Sequence, residues 1–136
     1  MQLLLDTCAA IWIAEDAPLA DDAVQAIDRA ADAGSPILVS PITAWEIGLL
    51  VARGRLALPI GAQALFDQII ETPNVELAGL PPAVLIAASF LPGNPPSDPS
   101  DRIVIATARE QNLTVVTRDS QILRFAAAGH VRALAC

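Results

Sequence analysis

Short apolar runs alternate with longer amphipathic stretches along the whole chain. The short runs fall at about residues 2–5, at Ile37-Leu38-Val39, and at Val75 to Ala78, Thr114 to Thr117 and Val131 to Leu134. Their length and their turn-forming flanks predict buried strands. The longer stretches predict helices. One begins near Thr7, and a second runs from about Leu19 to Ala33, with Asp21 and Asp22 favouring the positive end of the helix dipole and Gly34 as its stop. Ser40-Pro41 has the form of an N-cap followed by proline at the first helical position, opening a helix to about Arg53 before Gly54. Further helices are expected from Gly61 to Glu71, closed by Pro73, and from Pro81-Pro82 to about Phe90. Leu91 to Pro96 is a loop, followed by helices from Asp98-Pro99 to Gln111 and from Ser120 to Ala128, with Gly129 as the last cap. Strands separated by helices imply right-handed crossovers, and so an α/β protein with a central parallel sheet of about five strands.

That frame gives four acidic residues a common address: Asp6, Glu46, Asp101 and Asp119 each fall at the edge of a hydrophobic segment. Asp6 ends the first strand and Asp119 follows the fourth, and ligands of open α/β sheets bind outside the carboxyl ends of the strands. Each also has a plainer reading. Asp6 and Asp119 have the form of helix N-caps, and Thr7 is an alternative cap to Asp6. Asp98-Pro99-Ser100-Asp101 reads as a cap, a proline and a first-turn carboxylate, which makes Asp98 the structural residue and Asp101 the one that projects. Glu46 is harder to explain as structure, because the segment Ile42 to Leu50 around it is apolar nearly all round. A charged residue inside such a helix needs a partner or a metal. Carboxylates converging in one cleft repel one another, and a hard divalent cation offsets that repulsion while preferring oxygen ligands. The chemistry implied is metal-assisted hydrolysis.

Composition narrows the choice. The chain has 136 residues, enough for one domain with a sizeable core, and is 54% hydrophobic. Its apolar runs are too short to span a membrane, and it has no signal-peptide layout, so a cytoplasmic protein is expected. A net charge of −7 disfavours broad backbone-driven nucleic-acid binding. All eight basic residues are Arg, however, and Arg102 and Arg118 stand next to Asp101 and Asp119, which makes them candidate site residues. Arg109 and Arg124 have an equally good reading as solvated helix-face residues. Cys8 and Cys136 suggest reduced thiols rather than a disulfide or a zinc site. His130, the only histidine, lies in a terminal turn, which leaves no credible Ser–His–Asp arrangement.

Four segments carry a resemblance: Leu-Leu-Leu-Asp-Thr-Cys-Ala (3–9), Ser-Pro-Ile-Thr-Ala-Trp-Glu-Ile-Gly (40–48), Asp-Pro-Ser-Asp-Arg-Ile-Val-Ile-Ala-Thr-Ala (98–108) and Leu-Thr-Val-Val-Thr-Arg-Asp (113–119). In this order they resemble the PIN-domain nucleases, and among them the VapC toxins of bacterial toxin–antitoxin pairs. The resemblance implies a three-layer PIN-like fold over residues 1–136 and a Mg2+- or Mn2+-dependent endoribonuclease held inactive by a small antitoxin. The family's four acidic residues fall on Asp6, Glu46, Asp101 and Asp119, with Asp98, Thr7, Thr117, Arg102 and Arg118 as candidate accessory residues. Close relatives often carry His where this chain has Cys8.

Trp12 and Trp45, with Leu49 and Leu50, add to an apolar total that one small domain need not bury, and are candidate partner-binding residues. The resemblance inclines this towards a groove for an antitoxin's amphipathic segment and towards toxin dimers. A basic side chain of the partner would suit the acidic cleft. A phosphatase and a receiver-like domain are both disfavoured by the absence of Lys. An acidic metal-binding module that cleaves nothing is the remaining alternative.

Overall fold

The computed structural model describes every residue except Leu58. Its elements run β1 (Leu3–Leu5), α1 (Thr7–Ala14), α2 (Asp21–Asp32), β2 (Ile37–Val39), α3 (Ile42–Ala52), α4 (Ala62–Glu71), β3 (Val75–Leu77), α5 (Pro82–Ala87), α6 (Pro99–Gln111), β4 (Thr114–Thr117), α7 (Ser120–Ala127) and β5 (Arg132–Ala135). The strands form one five-stranded sheet in the order β3-β2-β1-β4-β5, with every neighbouring pair parallel. The expected α/β architecture is therefore the observed one.

Side-chain alternation along the strands explains the three layers. Leu3 and Leu5, Ile37 and Val39, and Val116 turn to one face, where Ala9, Ala23, Ala26, Leu65 and Ile69 of α1, α2 and α4 cover them. Leu4 and Val115 turn to the other, against Val104, Ile105 and Ala108 of α6 and Ile122 and Phe125 of α7. Strands buried on both faces read as unbroken apolar runs, as Leu3-Leu4-Leu5 does.

The chain steps outward from β1 to β2 to β3, then crosses back to β4 and β5 on the other side of β1. Connections leaving β1 and β4 therefore diverge, and the crevice between their carboxyl ends is the switch point at which such sheets bind ligands.

Boundaries move slightly from those expected. α3 starts at Ile42, one residue later, because the Ser40 hydroxyl accepts the Ile42 N–H at 3.1 Å and holds Pro41 in a turn. α2 starts at Asp21 rather than Leu19. α5 stops at Ala87; beyond it Ser89 and Phe90 bond three residues back, and Pro92 blocks continuation. β5 begins at Arg132, one residue later than expected. Among the described residues no helix is long and apolar enough to cross a membrane.

Candidate functional site

Asp6 leaves β1 while its N–H still bonds to Val116 O at 3.1 Å, so the residue is locked to the sheet. One carboxylate oxygen, Oδ1, accepts the Ala9 N–H at 2.8 Å and caps α1. The other, Oδ2, accepts the Thr117 hydroxyl at the end of β4. The same Thr117 oxygen accepts the backbone N–H of Asp119 at 3.0 Å. Asp119 Oδ1 in turn caps α7 through Gln121 N and Ile122 N. Both aspartates thus cap a helix and line the same cleft.

Glu46 reaches the crevice from α3. The Thr7 hydroxyl donates to its Oε1 at 2.7 Å, and Thr7 Oγ1 lies 3.2 Å from Thr43 Oγ1. Since the Thr7 proton is committed to Glu46, Thr43 donates to Thr7, and the two buried hydroxyls form a relay that aims the carboxylate. Thr43 was not among the residues singled out from the sequence. Its only signal there is a hydroxyl in an otherwise apolar helix.

Asp98 caps α6, accepting Asp101 N at 3.1 Å with Pro99 in the first turn, as the sequence pattern predicts. Asp101 then projects from that first turn. Together Asp6, Glu46, Asp98, Asp101 and Asp119 line one cleft of about 430 Å³.

Their electrostatics are those of crowded anions. Burial, then the neighbouring Asp98, Asp119, Glu46 and Asp6, raise the Asp101 carboxyl to about 7. Burial also raises Asp6, against the opposing Thr117 and Ala9 hydrogen bonds, and raises Glu46 against the bond from Thr7. Cys8, at the cleft wall, is pushed up to about 11 by desolvation and by the same carboxylates, so it stays a neutral thiol and a poor ligand.

Among the described residues, Arg118 is the only cation lining this cleft. Its guanidinium lies 3.7 Å over the Trp12 ring, and its Nε donates to Cys136 O at 2.9 Å. Trp12, a candidate partner-binding residue, is half-buried: it packs on the core and forms part of the cleft wall. Arg102 departs from expectation. Its guanidinium turns away to Ala88 O at 2.9 Å and Pro96 O at 3.3 Å, and it does not line the cleft. His130 packs on Phe125, with ring centroids 4.9 Å apart, away from the carboxylates.

The donors available are carboxylate oxygens without imidazole, a set that fits a hard divalent cation and not zinc. As the side chains stand, no three acidic, His or Cys groups among the described residues form a ready ligand set for one ion. Hydrogen bonds hold both carboxylate oxygens of Asp6 and one oxygen each of Glu46 and Asp119.

The model of the PIN domain family matches residues 3–128, an interval that includes all five of these carboxylates. The chain belongs to the PIN domain family. This PIN domain is 34% identical over 121 residues to Ribonuclease VapC22 of Mycobacterium tuberculosis, covering 88% of each chain. It also resembles the VapBC2 complex of Rickettsia felis bound to a DNA fragment from their promoter, with TM-score 0.67, 16% identity and coverage of 99% and 98% of the two chains. The FitAcB structure from Neisseria gonorrhoeae gives TM-score 0.55, 23% identity and coverage of 98% and 96%. At those identities the structural likeness speaks to the fold.

Proposed function

We propose that this PIN domain, residues 1–136 acting as one unit, is an endoribonuclease that requires Mg2+ or Mn2+ and is the toxin of a toxin–antitoxin pair. The observation that carries the reading is the convergence of Asp6, Glu46, Asp98, Asp101 and Asp119 in one cleft at the β1–β4 crevice. Carboxyls raised by burial and mutual repulsion are a site short of positive charge. Asp6 and Asp101 would hold the cation directly, and Glu46 and Asp119 directly or through water. When bound, such an ion activates water and neutralises charge on the phosphoryl oxygens. Thr7 and Thr117 orient the carboxylates they touch, and Asp98 sets the position of Asp101. With His130 remote, a cleft carboxylate is the proton acceptor.

Likeness to Ribonuclease VapC22 supports an RNA substrate, and likeness to VapBC2 supports a small antitoxin as partner. The antitoxin would cover the exposed Trp45 and the half-buried Leu49 and Leu50 and place a basic side chain among the carboxylates. A homodimer and a cytoplasmic location complete the reading. The rival is a metal-binding module without nuclease activity.

Purified protein incubated with RNA separates the two. The nuclease reading expects cleavage with Mg2+ or Mn2+, none in EDTA, and a loss on the order of 100-fold or more in Asp6→Asn and Asp101→Asn. Cleavage that persists in EDTA, or in either variant, overturns it.

A further inference from the structure

We infer that a second groove, running from the acidic cleft between α3 and the start of α6, is the track for the RNA strand on one side of the scissile phosphate. Trp45 is its stacking platform, and Arg53 and Arg55 are its phosphate contacts. The inference rests on the ribonuclease reading above and assigns substrate-positioning residues to it; RNA occupies the groove in the free protein, and the antitoxin proposed above would compete for it.

The groove has a volume of about 340 Å³ and shares Glu46 and Asp98 with the cleft, so the two are continuous. Leu49 and Leu50 of α3 and Pro99 and Ser100 of α6 line it. Trp45 stands in the wall with 51% of its surface exposed, an unusual place for a large aromatic side chain. Base stacking on an exposed ring is indifferent to sequence, because every base offers a π-face.

Arg53 and Arg55 close the far end. At 1.5 Å per residue, Arg53 lies about 10 Å beyond Glu46 along the helix. Their placement is fixed by how α3 ends. Gly54 takes φ +66°, its N–H bonds to Val51 O at 3.1 Å, and Arg55 N–H bonds to Leu50 O at 2.9 Å. This Schellman pattern reverses the chain at Gly54 and holds one arginine on each side of it. Both arginines are exposed. Arg102, Arg109, Arg118 and Arg132, by contrast, direct their guanidinium groups at carbonyl or amide oxygens of the protein.

Charge makes the assignment specific. A polyanion approaching a chain of net charge −7 is repelled, most strongly at the five-carboxylate cleft. A paired arginine end on the adjoining groove holds its backbone without neutralising the cation site. Arg suits this better than Lys, because its fork contacts phosphate oxygens in pairs.

The test uses the intact protein and a short fluorescent single-stranded RNA, with binding followed by anisotropy in Ca2+ over a salt series and cleavage followed in Mg2+. Arg53→Glu with Arg55→Glu should raise both Kd and KM on the order of tenfold or more and reduce the salt slope by about 2. kcat at saturating RNA and the affinity for Mg2+ should be unchanged. The double Arg→Lys variant should keep most of the salt slope. Trp45→Ala should weaken binding by roughly 5- to 150-fold with little change in salt slope. Unchanged Kd and KM in the charge-reversed and Trp45 variants overturn the track and leave the groove to a protein partner. Wild-type protein that binds RNA through these residues without cleaving it supports the track while defeating the nuclease reading. Wild-type protein that does not bind RNA defeats both.

Discussion

Thr117 donates its hydroxyl to Asp6 across the seam between β4 and β1, although 111 positions separate the two in sequence. The same oxygen accepts Asp119 N–H, so one buried side chain sets the spacing of two cleft aspartates. Thr117→Val keeps the shape but leaves a buried carboxylate oxygen and an amide without their partner. We expect a loss of about 1–3 kcal/mol in urea unfolding, with Thr117→Ser close to wild type. RNA cleavage should fall with it, because Asp6 becomes still harder to ionise. Stability and cleavage both unchanged in Thr117→Val would remove the hydroxyl from the site.

Asp101→Asn should separate stability from function. Asp98, Asp119, Glu46 and Asp6 all oppose ionisation of Asp101. Removing its charge therefore relieves repulsion, and the metal-free variant should melt at a higher temperature than wild type in calorimetry. Cleavage should nevertheless fall on the order of 100-fold. A variant that melts lower without metal contradicts the picture of a repulsive cleft.

Stability in EDTA should decline as pH rises. The Asp101 carboxyl ordinarily titrates at 3.8 and lies at about 7 in the folded protein, with Asp6 and Glu46 displaced in the same direction. Between those values the folded chain binds more protons than the unfolded one, so the contribution present below 3.8 is lost as pH passes through about 7. Solvent around Asp101 moderates the size of the effect. Mg2+ should flatten the decline, since it replaces the protons as the source of positive charge. Melting curves across this range, with EDTA or with Mg2+, read it directly. Melting temperatures in EDTA that hold steady or rise would contradict it.

The parts of this site legible in the sequence are those with local signals. The strands were visible as apolar runs, the α6 start as Asp-Pro-Ser-Asp, and Glu46 as a charge in an apolar helix. The rest depends on contacts distant in sequence. The relay from Thr43 through Thr7 to Glu46 exists only because α1 and α3 pack together, and a threonine in a helix carries no mark of it. The place of Trp12 in the cleft wall could not be read either, because it depends on the Cys136 and Pro18 carbonyls holding the Arg118 guanidinium over its ring. Ser40-Pro41 signalled the right helix, displaced by one residue, because a serine hydroxyl can satisfy more than one nearby N–H.

Arg102 shows how adjacency misleads. It follows Asp101 directly, but successive residues of a helix point about 100° apart, so a side chain next to a cleft residue need not share its face. The guanidinium bonds instead to Ala88 O and Pro96 O, fastening the segment between α5 and α6 onto α6. Arg102→Ala strands two carbonyls, those of the buried Ala88 and Pro96, and should cost about 1–3 kcal/mol in urea unfolding. At temperatures where the variant stays folded, kcat, Mg2+ affinity and the salt slope of RNA binding should match wild type. A phosphate-binding arginine would give the reverse result, with stability intact and the salt slope reduced by about 1. That outcome would return Arg102 to the site and require its guanidinium to leave the two carbonyls when RNA binds.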